Sequence, residues 1–325
     1  MKGTAFAQPL VAATLLGVVG LLLVAVSLNR FLFRLGRISR EQYQDILVRS
    51  KTWCWLALGL LTPIVLGAAW VIWAALVLSL LCYREFARAT GLFREKEIGL
   101  VVVLGIVALT LANAIHYDRM FFASAPLTAG ALAIITIPTD QPKGYVQRVA
   151  LGVFGFLLFG CSFGYLGLIA NDERYRSILI LIFVGVEMND VFAYCVGRTV
   201  GGPKLVPHTS PGKTKAGAIG AMVLTTALVA LLAHRVFRGT VVDRWDYLGE
   251  LGFLIAALGQ MGDLVLSSIK RDLGLKDLGV VLPGHGGFLD RFDSLVLVPP
   301  VVFHFLSYHL GPLGTHSAAG LLPGG

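Results

Sequence analysis

Long apolar runs separated by short polar stretches set the pattern of this chain of 325 residues. About ten segments approach the ~17–20 apolar residues that a membrane-crossing helix needs. They lie near 9–28, 53–68, 69–83, 99–115, 121–138, 149–169, 178–196, 216–232, 247–267 and 295–310. The pair near 53–83 also reads as one long helix broken around Pro63 and Gly67, which lowers the count to nine and reverses one terminus. The pattern predicts an all-α, polytopic transmembrane bundle of about nine to ten helices. The first run, after Gln8, is too long for a cleaved signal and is followed by a basic block, so it reads as a retained helix.

Composition agrees: 56% of residues are hydrophobic and 14% charged, with a mean hydropathy of +0.77, which excludes a soluble globular domain. The net charge of +8 does not point to nucleic acid, because of where the cations lie. With the N-terminus outside, most of the 27 Lys and Arg fall in inside loops, near 29–52, 84–98, 143–148, 197–215 and 268–294. The positive-inside rule therefore puts the 197–215 and 268–294 loops together on the cytoplasmic side of a bacterial-type inner membrane. Cys54, Cys82, Cys161 and Cys195 sit in or beside apolar runs without metal-ligand spacing, so no chemistry is assigned to them.

Four regions follow: an N-terminal helix with a basic loop (1–52), a helical scaffold (53–177), a region rich in polar motifs (178–310) and a Gly/Pro-rich tail (311–325). The 29–52 stretch has helical spacing and reads as a surface helix or as a plain topology signal. The N-terminal half reads as scaffold, substrate groove or dimer surface, and a homodimer is one assembly it could serve.

Three acids interrupt the apolar runs: Glu187, Asp190 and Asp263. An acid at bilayer depth costs roughly 2.5–3.5 kcal/mol, so it generally faces protein or water and marks function. Glu187, Asp190 and Tyr194 share one helix face, as do Gln260, Asp263, Ser267 and Lys270. The two stripes predict a polar cleft opening toward the cytoplasmic side. Structural pairing with a nearby Arg or Lys is the competing reading, and for Glu187 the two stand about even.

The loop around 197–215 contains Gly212-Lys213-Thr214, which looks like the end of a P-loop. It has Pro207 where that motif needs glycine and follows no strand, so the motif is rejected. Ser210, Lys213, Thr214 and Lys215 nonetheless precede an apolar helix, where backbone N–H groups and cations suit a triphosphate. His208 and His285 are candidate ligands or acid/base groups, and His285, among glycines, is the better one.

The densest cluster is Ser267–Asp293, where alternating acids and cations flank a Gly-rich turn between two apolar runs. Such a segment suits a divalent metal and a polyphosphate, and in a membrane protein it points to phosphoryl chemistry on a lipid. Its order, Ser267, Lys270-Arg271, Lys276-Asp277, Pro283, His285-Gly286-Gly287, Asp290-Arg291 and Asp293, resembles the signature of the integral-membrane phosphatidate cytidylyltransferases. Gly262-Asp263, the Asn189-Asp190 segment running to Gly197-Arg198, and Ser210-Pro211-Gly212-Lys213-Thr214 are similar to further elements of that family, and Arg84-Glu85-Phe86 echoes another. Lys215-Ala216-Gly217 departs from the residues common after the Ser-Pro loop, as does Gly212 where lysine is common.

The resemblance implies transfer from CTP to phosphatidic acid, giving CDP-diacylglycerol and pyrophosphate. It implies Mg²⁺, with Asp263 and Asp290 as first-choice ligands and Asp293 and Asp190 next, and a second, monovalent cation as an option. Lys213, Lys270, Arg271, Lys276 and Arg291 would neutralise phosphates, with Asp277, His285 and Asp293 in the catalytic set. Ser210, Thr214 and the Gly286-Gly287 turn would hold the nucleotide. Two alternatives stay open: CTP-dependent transfer to another phospho-lipid or a polyprenyl phosphate, and a non-catalytic transporter or inactive relative.

Overall fold

The structure is a computed structural model and describes residues 9–37, 39–282, 286–311 and 313. Helices α1 (Pro9–Arg34), α2 (Arg40–Leu66), α3 (Ala68–Ala89), α4 (Lys96–Ala114) and α5 (Asp118–Ile135) come first. α6 (Tyr145–Gly155) and α7 (Ser162–Ala170) form one span, joined by a π-helical turn at Phe156–Cys161. α8 (Tyr175–Val200) leads into an antiparallel hairpin of β1 (Lys204–Val206) and β2 (Ser210–Thr214). α9 (Lys215–Val236), α10 (Trp245–Asp272) and α11 (Val298–Leu310) complete the order.

Among the described residues, eight helices are long and apolar enough to cross a membrane, the first at Ala68–Ala89 and the last at Asp293–Leu310. The protein is a multi-pass, all-α membrane bundle with one short hairpin. Each apolar run of the sequence overlaps one helix or span. The tail beyond residue 313 lies outside the described residues.

Two connecting segments carry regular structure, the first in keeping with its helical spacing and the second against the sequence reading. Most of 29–52 is helix: α1 runs to Arg34 and α2 begins at Arg40. Ser39 caps α2 reciprocally with Gln42, its Oγ accepting from Gln42 N at 3.1 Å and its N–H donating to Gln42 Oε1 at 2.9 Å. Asn29 donates to the Tyr43 carbonyl at 3.1 Å, and the Phe33 and Tyr43 rings stack at 4.6 Å, clasping α1 to α2. The second is the hairpin at 204–214, whose two prolines, Pro207 and Pro211, and Gly212 hide the alternation that signals strands.

The break between 53 and 83 is a single residue. Gly67 has φ +144°, a conformation L-residues rarely adopt, so α2 stops there and α3 starts at the next position. The Ile64 carbonyl, left without its helical partner, accepts from Arg176 Nε of α8 at 3.0 Å. Beyond it, Phe86, Phe156, Phe159 and Phe163 are fully buried and fill the space between α3, the π-turn and α7. α8, α9 and α10 pack together as a second group, and the polar motifs collect at one end of it.

Candidate active site at the α8–α10 end

Asn189 fixes the geometry of this end. It is wholly buried and donates to the Ala256 carbonyl of α10 at 3.2 Å, while its Oδ1 accepts from Thr225 of α9 at 3.3 Å. Gln260 adds bonds to Asn189 Oδ1 at 3.5 Å and to the Ala218 carbonyl at 3.0 Å. A satisfied polar network in a low-dielectric interior is rigid, so three helices are locked one residue away from Asp190 and one turn away from Asp263.

The adjacent Asp190 accepts from Ser294 Oγ at 3.0 Å. Asp263 accepts from Ser267 Oγ at 3.0 Å and is ion-paired through its other oxygen with Lys213 of β2. Asp293 caps its own turn, accepting from Ser294 N at 2.9 Å, and lies 3.7 Å from Lys270 Nζ. Asp190, Asp263 and Asp293 are thus electrostatic neighbours of one another. Arg291 is electrostatically close to Glu187 and Asp190, and its buried Nε has no hydrogen-bond partner among the described residues.

Gly262 makes the convergence sterically feasible. A Cβ there would stand 2.6 Å from the Asp293 carbonyl, so only glycine lets the 293–295 turn lie against α10 beside Asp263.

Asp290 has a different setting from the other acids. Its side chain is 1% exposed and accepts from Lys270 Nζ at 3.1 Å through Oδ1. Through Oδ2 it accepts from the backbone N–H of Leu278 at 2.9 Å, Gly279 at 3.3 Å and Gly287 at 3.0 Å. Four donors leave it little capacity for a further ligand, and they tie both ends of the 278–290 loop to one carboxylate. Leu282 N bonds the Gly286 carbonyl at 2.8 Å inside that loop.

A residue outside the dense motifs completes the arrangement. Glu85, near the end of α3 and 5% exposed, accepts from Phe288 N at 3.0 Å and Leu289 N at 2.8 Å. The sequence offered only the faint Arg84-Glu85-Phe86 echo, and no spacing rule links position 85 to position 289.

The remaining predicted residues divide. Lys213, Lys270, Asp263, Asp190, Asp293 and Arg291 meet at the site. Arg271 instead braces the loops, donating to the Thr209 and Leu275 carbonyls at 3.2 Å each. Thr214 caps α9, accepting from Gly217 N at 3.1 Å. Ser210 starts β2 and is partly buried, while Lys276, Asp277 and His208 are exposed. Tyr194 does not join the acid stripe: it is 63% exposed and accepts from Arg198 Nη1 at 2.6 Å, because the end of α8 turns that face outward. His285 lies outside the described residues. Among the described residues, no three His, Cys, Asp or Glu side chains form a ready-made metal cage.

The comparisons agree with this picture. A family model described as "Cytidylyltransferase family" matches residues 47–309, which include every helix lining the site. An uncharacterized protein, YnbB, of Escherichia coli (strain K12) is 31% identical over 89% of this chain and 95% of its own length. A phosphatidate cytidylyltransferase of Brucella abortus is 32% identical over 64% of this chain and 81% of its own. Another, of Staphylococcus saprophyticus, is 37% identical over 63% of this chain and 89% of its own. With six acidic and basic groups meeting at the end of a membrane bundle and a family match across most of its length, the chain belongs to the cytidylyltransferase family, as a membrane-embedded nucleotidyltransferase.

Proposed function

We propose that this protein transfers the cytidylyl group of CTP to the phosphate of phosphatidic acid, releasing pyrophosphate and leaving CDP-diacylglycerol in the membrane. The observation that carries the reading is the meeting of three acids and three cations at one end of apolar helices, in a member of the cytidylyltransferase family. The names of the Brucella and Staphylococcus relatives support phosphatidate as the acceptor.

The chemistry is an in-line displacement. A lipid phosphate oxygen forms a new bond to the α-phosphorus of CTP. The bond from that phosphorus to the oxygen bridging the α and β positions breaks, and pyrophosphate leaves with the electron pair. An ionised phosphate needs no base to activate it, so the protein's work is positioning and charge neutralisation. Lys213 and Lys270 would exchange carboxylate partners for phosphate oxygens. Arg291, whose Nε has no hydrogen-bond partner among the described residues, would take the acceptor phosphate. Ser210 and the Gly286-Gly287 turn would hold the nucleotide.

The donor set fits Mg²⁺, which takes one or two protein carboxylates and fills its other positions with water and substrate phosphates. Asp263 and Asp293 would hold it, with Asp190 beside them; both already have an ammonium group against them. Bound there, the ion would neutralise charge developing on the phosphates. Asp290, engaged by four donors, would serve the loop rather than the metal. The distribution of Lys and Arg supports a cytoplasmic-facing site, where CTP is available.

The direct test incubates the purified protein with phosphatidic acid micelles, labelled CTP and Mg²⁺, beside Asp263→Asn. Label in the lipid phase that vanishes in the variant supports the reading. A second reading, CTP-dependent transfer to another phospho-lipid or a polyprenyl phosphate, uses the same charged groups. Parallel reactions with other phospho-lipids and a polyprenyl phosphate separate the two.

A further inference from the structure

We infer that the apolar groove between α2 and α3 holds one acyl chain of the acceptor lipid, and that Gly59 keeps it open. This rests on the lipid-acceptor reading above. The groove encloses about 280 Å³, and every residue lining it is apolar, glycine or proline.

Its position gives it an occupant. Along α3 the lining runs from Val71 to Leu81, ten residues and so ~15 Å. That is half of a ~30 Å hydrocarbon core, the depth of one leaflet. Leu81 stands one helical turn before Glu85, which grips the backbone of Phe288 and Leu289. At that end the groove is lined by Phe288 and Phe292, which bracket Asp290 and Arg291 in sequence. The apolar groove is therefore continuous with the polar site. A chain lying in it would bring its headgroup to the loop that carries Arg291, whose Nε has no hydrogen-bond partner among the described residues.

Gly59 is the telling residue on the α2 wall. Glycine inside a helix forfeits helix stability, so it generally answers a packing need. Here packing makes no such demand, because a Cβ at Gly59 would meet no other atom within 4 Å. A larger side chain would project into the groove and occupy the chain's space without pushing on the protein.

The test uses the full chain in lipid nanodiscs and a phosphatidic acid carrying a photoreactive diazirine on one acyl chain. The wild type is expected to be labelled mainly on peptides containing Trp55–Ile64 and Phe288–Phe292. Gly59→Leu should lower that labelling at least fivefold. Leu58→Phe, at a neighbouring position that is 56% exposed and outside the groove, should leave it unchanged. Labelling spread evenly over the helices, unaffected by Gly59→Leu, or equally strong with the same chain on phosphatidylcholine would overturn the inference. With labelled CTP, Gly59→Leu should raise KM at least fivefold for a long-chain acceptor and less than twofold for a dihexanoyl one. Groove labelling without lipid product would sink the transfer reading alone, whereas product with diffuse labelling would sink the groove alone.

Discussion

Glu85 and Leu289 stand 204 positions apart and meet at 2.8 Å, the carboxylate at the end of α3 accepting the backbone N–H of the loop. That contact and its twin to Phe288 fasten the loop after α10 to the end of α3. They make a distant acid a positioning residue for Asp290 and Arg291.

Glu85→Gln should therefore weaken the loop without touching any substrate group. The amide keeps an acceptor for one N–H and turns its NH₂ toward the other, a mismatch worth about 1–3 kcal/mol. We expect kcat to fall at least tenfold and limited proteolysis to cut between residues 273 and 292. An intact loop with unchanged kcat would remove Glu85 from the arrangement.

Asp290→Asn and Asp263→Asn should fail in different ways. Breaking the buried Lys270–Asp290 pair leaves an uncompensated charge and should cost about 3–5 kcal/mol of stability, along with activity. Asp263→Asn should leave the protein inserted and monodisperse while turnover drops about a thousandfold, the scale of several kcal/mol of charge stabilisation. Chemical denaturation and turnover measured on both variants separate the roles; near-normal turnover in Asp263→Asn would rule out its place in the metal site.

Gly262→Ala tests the approach of the 293–295 turn to α10. The added methyl would meet the Asp293 carbonyl, an overpacking worth about 1–3 kcal/mol. Activity should fall more than the stability loss explains, because Asp293 moves away from Asp263. A variant as active as the wild type would show that the turn can shift without penalty.

Chelation should stop turnover reversibly and leave the fold intact. Lys213 and Lys270 already neutralise the acids, so EDTA should shift Tm by less than about 2 °C while readdition of Mg²⁺ restores product. Unfolding on chelation would mean a structural metal instead.

The helical scaffold was legible because hydropathy and helical periodicity are local properties. So was the site's acid and lysine content: Asp263 and Lys270 share a face of α10, and the structure brings Asp293 and Lys213 to them. The hydrogen bonds of Asp290 were not legible. Its residue type suits a metal ligand, and only the folded loop reveals four donors around it. Tyr194 shows the converse limit: it shares a helical phase with Asp190, but one turn further on its side chain is exposed and bonded to Arg198. Glu85 was nearly invisible, since a contact across the whole fold leaves no periodic trace.

The pairing of acids with cations also bears on how the protein is made. Translation delivers α8, with Glu187 and Asp190, well before Arg291 exists, and Asp263 precedes it as well. Lys213 emerges early enough to meet Asp263 and to act on Asp190, but Glu187 waits about a hundred residues for the guanidinium that acts on it. The site is thus completed from the Asp290–Asp293 side, and Glu187 meets its cation only when Arg291 arrives.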